Sequence, residues 1–137
     1  MTGIRGVLVA MLAFGLGLMA TGHAAAQTYP SKTIHILVTA PAGGITDTLA
    51  RALALKLTEA WGQQVIVENR PAGAGHVAMD YVAKSTPDGY TLVVTPDASF
   101  VVNPHLYSKL TYDPIRDFIP VSGLGISPQD VMVKKEG

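Results

Sequence analysis

TIHILVTAPAGGITDTLA, residues 33–50, is the stretch of the sequence that decides the fold. Residues 33–39 are apolar and β-branched almost without a break, which is typical of a strand that is buried on both faces. The Pro-Ala-Gly-Gly segment at 41–44 interrupts this strand, and Thr46 or Asp47 can then cap a helix. Leu49, Leu53 and Leu57 recur every four residues, with Ala50, Ala54 and Trp61 beside them, and this pattern predicts one apolar stripe along that helix.

The same pattern of strand, loop and helix repeats further along the chain. Gly62 is expected to end the first helix, and residues 64–68 predict a second strand. A glycine-rich loop, a short helix at 76–84 and a third strand at 91–95 follow. Strands that alternate with helices are joined by right-handed crossovers and form a parallel sheet. The sequence therefore predicts an α/β fold.

Three loops follow the predicted strands, at residues 40–47, 69–76 and 95–103. In a parallel sheet these loops all lie at the carboxyl edge, where open α/β sheets bind ligands. The first two loops contain several glycines and lead into helix N-termini. A helix N-terminus offers unpaired N–H groups and about half a positive charge. This edge is therefore expected to bind a small anion, most simply a carboxylate or a phosphate.

The segment from Pro41 to Asp47 has two interpretations. In the first, the backbone N–H groups of Gly44 to Asp47 and the hydroxyl of Thr46 bind the anion. In the second, the segment is an ordinary turn from strand to helix with a capping residue. The Asp47 side chain is expected to act as a cap in either case, because its carboxylate would repel an anionic ligand. The chemistry of these residues leaves both interpretations open.

The segment Gly-Ala-Gly-His-Val-Ala at 73–78 suggests a different function. It fits the G-x-G-x-x-A fingerprint of dinucleotide-binding domains, and Asp97 follows at about the required 20 residues. A dinucleotide-binding oxidoreductase domain is therefore an alternative. However, the fingerprint places its first glycine at the end of the strand, whereas residues 69–72 intervene here.

Other chemistries have little support in the sequence. The three histidines beyond residue 26 are His35, His76 and His105, and they lack the spacing of metal ligands. No catalytic triad or carboxylate pair stands out, so we expect no enzyme, no catalytic residue, no metal and no cofactor. His76 begins a predicted helix at the binding edge and could contact a ligand.

The first 26 residues have the features of a secretory signal peptide. Arg5 precedes an uncharged, mostly apolar stretch at 6–20, and three alanines at 24–26 supply the small residues for cleavage after Ala26. The rest of the chain has nine basic and ten acidic residues and no cysteine, a balance that argues against nucleic acid as a partner. No later apolar run approaches the roughly 20 residues of a membrane span. We expect a periplasmic protein that does not insert into the membrane after cleavage.

Six sequence blocks, in order, resemble Bug-type receptors, the periplasmic substrate-binding proteins of tripartite tricarboxylate transporters. The blocks are Tyr29-Pro30-Ser31-Lys32, Pro41-Ala42-Gly43-Gly44 with Thr46-Asp47, Val67-Glu68-Asn69-Arg70-Pro71, Pro87-Asp88-Gly89-Tyr90-Thr91, Asn103-Pro104 with Leu106-Tyr107, and Tyr112-Asp113-Pro114 with Asp117-Phe118. The resemblance covers nearly the whole chain after the signal peptide.

This resemblance implies a two-lobed type II periplasmic binding protein, or Venus flytrap, that is not an enzyme. It implies capture of a small organic carboxylate or related molecule for uptake by inner-membrane transporter subunits. The ligand-binding residues that it implies lie in the three loops: Gly43, Gly44, Thr46 and Asp47 in the first, Gly75 and His76 in the second, and Ser99 in the third.

The chain also departs from the family pattern. Asp97 stands in the third loop where small neutral residues are usual, which would disfavour a plain dicarboxylate and could accept an amino or amide group. Family members are more than twice as long, so we expect residues 27–137 to be an incomplete first lobe that follows the signal peptide at 1–26. An inactive, truncated product is the remaining alternative.

Overall fold

The computed structural model describes residues 28–126, so the predicted signal peptide lies outside the described residues. Within residues 28–126, no helix combines the length and the apolar character needed to cross a bilayer. The elements are, in chain order, β1 (Ile34–Val38), α1 (Ile45–Trp61), β2 (Val65–Asn69), α2 (His76–Ala83), β3 (Thr91–Val94), α3 (Ala98–Val101) and α4 (Asn103–Leu106).

The three strands form a parallel sheet with the order β2-β1-β3. Ile36 in the central strand is level with Val67 on one side and with Leu92 on the other. The predicted α/β fold and its parallel sheet are therefore confirmed, and each predicted strand matches the observed one to within one residue at either end.

The core lies between the sheet and α1. Ile34, Ile36 and Val38 of the central strand are fully buried and pack with Ala50 and Ala54 of the helix. These two alanines belong to the predicted apolar stripe and are its most buried members, whereas Trp61 at its end is 41% exposed. The small side chains of the alanines allow the helix backbone to lie close to the sheet, while the leucines flank the contact and are less buried.

The second face of the sheet is covered by α2, which packs against β1 and β3. Leu37 of β1 is buried, as are Ala78 and Met79 of α2. The central strand is thus buried on both faces, as its nearly continuous apolar sequence predicts.

The first helix begins differently from the prediction. Its N-cap is Gly44, no side chain caps it, and Thr46 and Asp47 lie inside its first turn. Neither Thr46 nor Asp47 is therefore the N-cap residue, but the Asp47 side chain does accept from a backbone N–H at this helix start, that of Gly43. Gly43 adopts a φ of +85°, a conformation that favours glycine, and this turn starts the helix two residues earlier than a cap at Thr46 would. The helix ends as predicted at Gly62, whose left-handed conformation directs its N–H to the carbonyl oxygen of Thr58.

A second glycine, Gly75, packs the loop before α2 against the end of β1. It has a φ of +84°, and a Cβ atom at this position would lie 2.5 Å from the Cβ of Thr39. Gly62 has a similar φ of +65°, but a Cβ atom there would have no neighbour within 4 Å.

Substitution of these two glycines separates the two effects. Gly62→Ala should cost only the strain of a left-handed alanine, about 1–2 kcal/mol of unfolding free energy. Gly75→Ala should cost that strain plus about 1–3 kcal/mol of overpacking against Thr39. Urea denaturation of both variants measures the difference, and equal losses of stability would contradict the close packing of Gly75 on β1.

Candidate ligand-binding site

Hydroxyl groups at the carboxyl edge of the sheet join the ends of β1 and β3. The Thr39 hydroxyl donates a hydrogen bond to Thr95 Oγ1 at 2.8 Å, and Thr95 Oγ1 lies 2.6 Å from Ser99 Oγ. Thr39 and Ser99 are only 8% and 5% exposed. This chain of hydroxyls fixes the third loop against the central strand, and it places the predicted ligand contact Ser99 in the floor of the edge.

The first and second loops are joined by an amide and a guanidinium group. Asn69, the last residue of β2, donates through Nδ2 to the carbonyl oxygen of Ala40 at 3.1 Å and to Asp47 Oδ1 at 2.9 Å. Its Oδ1 accepts a hydrogen bond of 2.9 Å from Arg51 Nη2. The loop after β1 is therefore held to the end of β2 by side chains, in addition to the strand pairing.

The Asp47 carboxylate lies at the centre of these contacts. Its Oδ2 accepts from Arg51 Nε at 3.0 Å and from the backbone N–H of Gly43 at 2.8 Å. The hydrogen bond from Arg51, with those from Gly43 and Asn69, lowers the pKa of Asp47 to about 2. Its side chain is only 4% exposed. Both carboxylate oxygens are engaged within the protein, so Asp47 can offer a ligand its backbone N–H rather than its side chain.

The N-terminus of α1 carries the free donors of the first loop. The Gly43 N–H is bonded to Asp47, and the Gly44 N–H makes a long contact of 3.4 Å with Pro41 O. The next three N–H groups, of Ile45 to Asp47, have no acceptor within residues 28–126. The Thr46 hydroxyl likewise has no partner among these residues. Three amides and a hydroxyl at a helix N-terminus can bind an anion.

The second loop uses most of its donors internally. The Gly75 N–H points to Pro71 O and Ala72 O, each at 3.2 Å, and the His76 N–H bonds to Gly73 O at 3.0 Å. The next two amides of α2, those of Val77 and Ala78, have no acceptor in the described part of the chain. The predicted residues Gly75 and His76 therefore shape this helix N-terminus, and its free amides belong to the residues after them.

The His76 side chain connects the second and third loops. Its Nε2 lies 3.2 Å from Asn103 Nδ2, and its ring meets that of Tyr107 edge-on at 4.3 Å. The ring of Tyr112 lies 6.0 Å away, and its hydroxyl donates to Ser99 O at 3.0 Å. If Asn103 donates to Nε2 of a neutral ring, Nδ1 carries the proton and can donate to a ligand.

The structure brings the three predicted loops together at one edge and adds residues that the sequence analysis did not assign to the site. Thr39 and Thr95 could have been found, because each lies at the end of a predicted strand in parallel register. Asn69 likewise ends a strand. Tyr112 opens the last of the six family blocks, but nothing in the sequence connects it with Ser99, which lies 13 positions away.

An open cavity of about 720 Å³ lies beside α2, and it touches this edge only at Arg70 and Val77. Several of the residues that line it, including Lys32, Thr33 and Thr91, lie at the amino ends of the strands. Two of its cations are already paired, since Lys32 bonds to Asp88 and Lys84 to Asp80. The carboxyl edge therefore remains the better candidate for an anion. No cluster of three potential metal ligands occurs among residues 28–126.

The depressed pKa of Asp47 makes a prediction for stability in acid. A carboxyl group with a lowered folded-state pKa stabilises the fold above its unfolded pKa, and this contribution is lost as pH falls towards the folded value. For Asp47 the loss spans the range from the ordinary pKa of 3.8 down to about 2. Asp47→Asn should therefore be less stable near neutral pH and should lose less stability than the parent across that acidic range. Urea denaturation at several pH values tests this, and parallel pH profiles would contradict it.

Comparison with known proteins connects this edge to a family. The model of the tripartite tricarboxylate transporter family receptor matches residues 49–136. A UPF0065 protein of Bordetella pertussis is 43% identical over 119 residues, which are 87% of this chain and 36% of that protein. Protein BugT of the same organism is 39% identical over 118 residues, or 83% of this chain and 36% of BugT. The chain thus spans about a third of the length of these curated relatives.

Solved structures agree with this assignment. The periplasmic binding protein BugD superposes with a TM-score of 0.59 at 34% identity, covering 66% of this chain and 30% of BugD. MatC from Rhodopseudomonas palustris, solved with bound malate, gives a TM-score of 0.64 at 35% identity over 68% of this chain and 32% of MatC. A second R. palustris protein, solved with adipate, superposes with a TM-score of 0.60 at 36% identity, covering 63% of this chain and 29% of that protein.

These similarities confirm the resemblance seen in the sequence. They also confirm the predicted fold class, because the neighbours with the same arrangement of strands and helices are periplasmic binding proteins. The family model covers well over half of the chain. The chain therefore belongs to the Bug-type receptors of the tripartite tricarboxylate transporter family.

Proposed function

We propose that this chain supplies one side of the cleft of a periplasmic solute-binding receptor, and that its carboxyl edge binds one carboxylate group of a small organic acid. The observation that carries the proposal is the row of three amides at Ile45 to Asp47 without an acceptor within residues 28–126. The ligands of two structural neighbours, malate in MatC and adipate in the second R. palustris protein, support it because both carry carboxylate groups. Asp97 in the third loop is exposed and is still expected to weaken binding of a plain dicarboxylate relative to an acid that carries an amino or amide group.

The electrostatics of the edge favour a carboxylate. The amides lie at the positive end of the 17-residue helix α1, where a negative charge is stabilised. The carboxylate of Asp47, in the same turn, is paired with Arg51, so its charge is offset within the protein. Each hydrogen bond from an amide to a charged ligand contributes about 1.5–3 kcal/mol.

The proposed ligand-binding residues take different parts in this site. Gly43 and Gly44 form the turn that leaves the α1 amides open, and Thr46 offers its N–H and its hydroxyl. Asp47 contributes its amide. The remaining three, Gly75, His76 and Ser99, form the floor and the far side, where the ring Nδ1 of the histidine and the two open amides of α2 could reach a second polar group of the ligand.

A receptor role is better supported than the alternative of a dinucleotide-binding oxidoreductase. In a dinucleotide site, the glycines of the loop leave room for the pyrophosphate next to the backbone. At Gly75 that space is filled by Thr39, whose Cβ would lie 2.5 Å from an added Cβ atom. The loop glycine therefore serves contact between protein segments. We propose a non-enzymatic function that requires no cofactor.

The proposed location and partners follow from the family. Removal of the predicted signal peptide at 1–26 would release the receptor into the periplasm. There it would deliver its ligand to inner-membrane transporter subunits of the tripartite tricarboxylate type.

Proline at position 45 tests the amide site directly, because it removes one of the three N–H groups. Proline is well tolerated at the first position of a helix, and Gly44 before it is already extended with a ψ of 171°. Ile45→Pro should therefore fold normally but raise the dissociation constant for malate and adipate about tenfold or more, from the loss of one charge-assisted hydrogen bond. Isothermal titration calorimetry of the purified chain measures this.

Ile45→Ala is the matched control. The Ile45 side chain is 63% exposed, and alanine keeps the N–H, so this variant should bind within about twofold of the parent. Binding by Ile45→Pro that equals binding by Ile45→Ala would show that the amide takes no part, and the 41–47 segment would then be only a turn.

A further inference from the structure

Three side chains, Asp47, Arg51 and Asn69, form a closed network between the first two loops. Arg51 donates to Asp47 through Nε at 3.0 Å and to Asn69 through Nη2 at 2.9 Å. Asn69 completes the ring by donating to Asp47 Oδ1 at 2.9 Å. We call these three residues the Asp–Arg–Asn network.

We propose that Asn69 is a positioning residue, which holds the N-terminal amides of α1 in place for the ligand without contacting the ligand itself. This inference rests on the proposed function, in which those amides bind a carboxylate. It extends that function to a residue that the proposed ligand does not touch. In this account the network keeps the distance between the α1 amides and the loop after β2 constant.

The hydrogen-bonding capacity of Asn69 excludes a direct role in binding. A side-chain amide has two N–H donors and one carbonyl acceptor. One donor goes to Ala40 O at 3.1 Å and the other to Asp47 Oδ1, while the carbonyl accepts from Arg51. No N–H remains for an anion. Asn69 therefore affects a ligand only through the groups that it holds.

The backbone of Asn69 is rigid enough for this role. The residue is level with Val38 at the end of the paired strands, and the next N–H, that of Arg70, bonds to Val38 O at 2.8 Å. The Asn69 side chain thus extends from a fixed strand end to the first turn of α1. A movement of that turn by about one ångström would break either its bond to Ala40 or its bond to Asp47.

Charge also limits which side chains can replace Asn69. Asp47 needs donors on both oxygens, and the Asn69 amide supplies one of them from across the loops at 2.9 Å. Asn69→Asp has nearly the same shape but replaces the donor with a carboxylate, so two negative charges would face each other around one guanidinium. The expected result is separation of the two loops and displacement of the α1 amides.

The test compares this isosteric variant with a charge control. Asn69→Asp should raise the dissociation constants for malate and adipate by about tenfold or more. Gln64→Glu adds the same charge at an exposed position, one residue before β2 begins. This control should leave both dissociation constants within about twofold of the parent values. A Gln64→Glu variant that loses as much affinity as Asn69→Asp would overturn the proposal, because net charge alone would then explain the effect.

A second substitution should restore the network with its polarity reversed. In the double variant Asp47→Asn with Asn69→Asp, the ring again has one amide and one carboxylate beside Arg51, and the amide oxygen at position 47 can still accept from Gly43. Recovery of part of the lost affinity is expected, because the carboxylate at position 69 cannot replace the hydrogen bond that the Asn69 amide donates to Ala40 O. Partial rescue of this kind separates positioning from general destabilisation. A double variant that binds no better than Asn69→Asp would contradict the proposal.

Amide NMR spectra keep the inference testable apart from ligand binding. In Asn69→Asp the N–H signals of Gly43 and of Ile45 to Asp47 should shift together, and in the double variant they should return towards the parent positions. If the unsubstituted chain binds neither malate nor adipate, the proposed function fails. The amide shifts caused by Asn69→Asp still decide whether Asn69 holds the first turn of α1. If Asn69→Asp does not fold, Asn69→Ala replaces it, and unchanged Gly43 and α1 amide signals in that variant would refute the positioning role.

Discussion

The central strand β1 has a parallel neighbour on each side, and the rest of the structure depends on this pairing. Because all three strands run in the same direction, the loops that follow them meet at one edge. The strand can be central only because both of its faces are covered, by α1 on one side and by α2 on the other. Its apolar sequence thus determines both the fold and the place where a ligand can bind.

Polar side chains then fix the loops relative to one another at this edge. The Asp–Arg–Asn network joins the first loop to the second, the hydroxyls of Thr39 and Thr95 join β1 to the third, and His76 with Asn103 joins the second to the third. These contacts satisfy groups that would otherwise be buried without partners. At the starts of α1 and α2, donors remain without an acceptor among residues 28–126, so the edge is complementary to a negatively charged group.

The sequence predicts the elements well because their signals are local. The apolar run of β1, the glycine at position 62 and the alternation of strands and helices each act within a few residues, and the structure has them where they were expected. The helix N-cap was missed because the turn at Gly43 and Gly44 starts the helix before Thr46, and the Asp47 side chain bonds back to the Gly43 N–H from inside the first turn. The predicted stripe along α1 includes Ala50 and Ala54, which are its most buried members, but the pattern does not reveal that Trp61 stays 41% exposed. The site is harder to predict, since which donors stay open depends on contacts such as Asn69 with Asp47, 22 positions apart.

Titration of the ¹⁵N-labelled chain with malate, followed by amide NMR, tests the central claim most directly. The backbone amides of Ile45, Thr46 and Asp47 should shift in a saturable way, because they are the proposed donors to the carboxylate. The amide signals of residues beside the open cavity next to α2, such as Lys84 and Ser85, should not shift. Saturable shifts at Lys84 and Ser85 with none at Ile45 to Asp47 would contradict binding at the carboxyl edge.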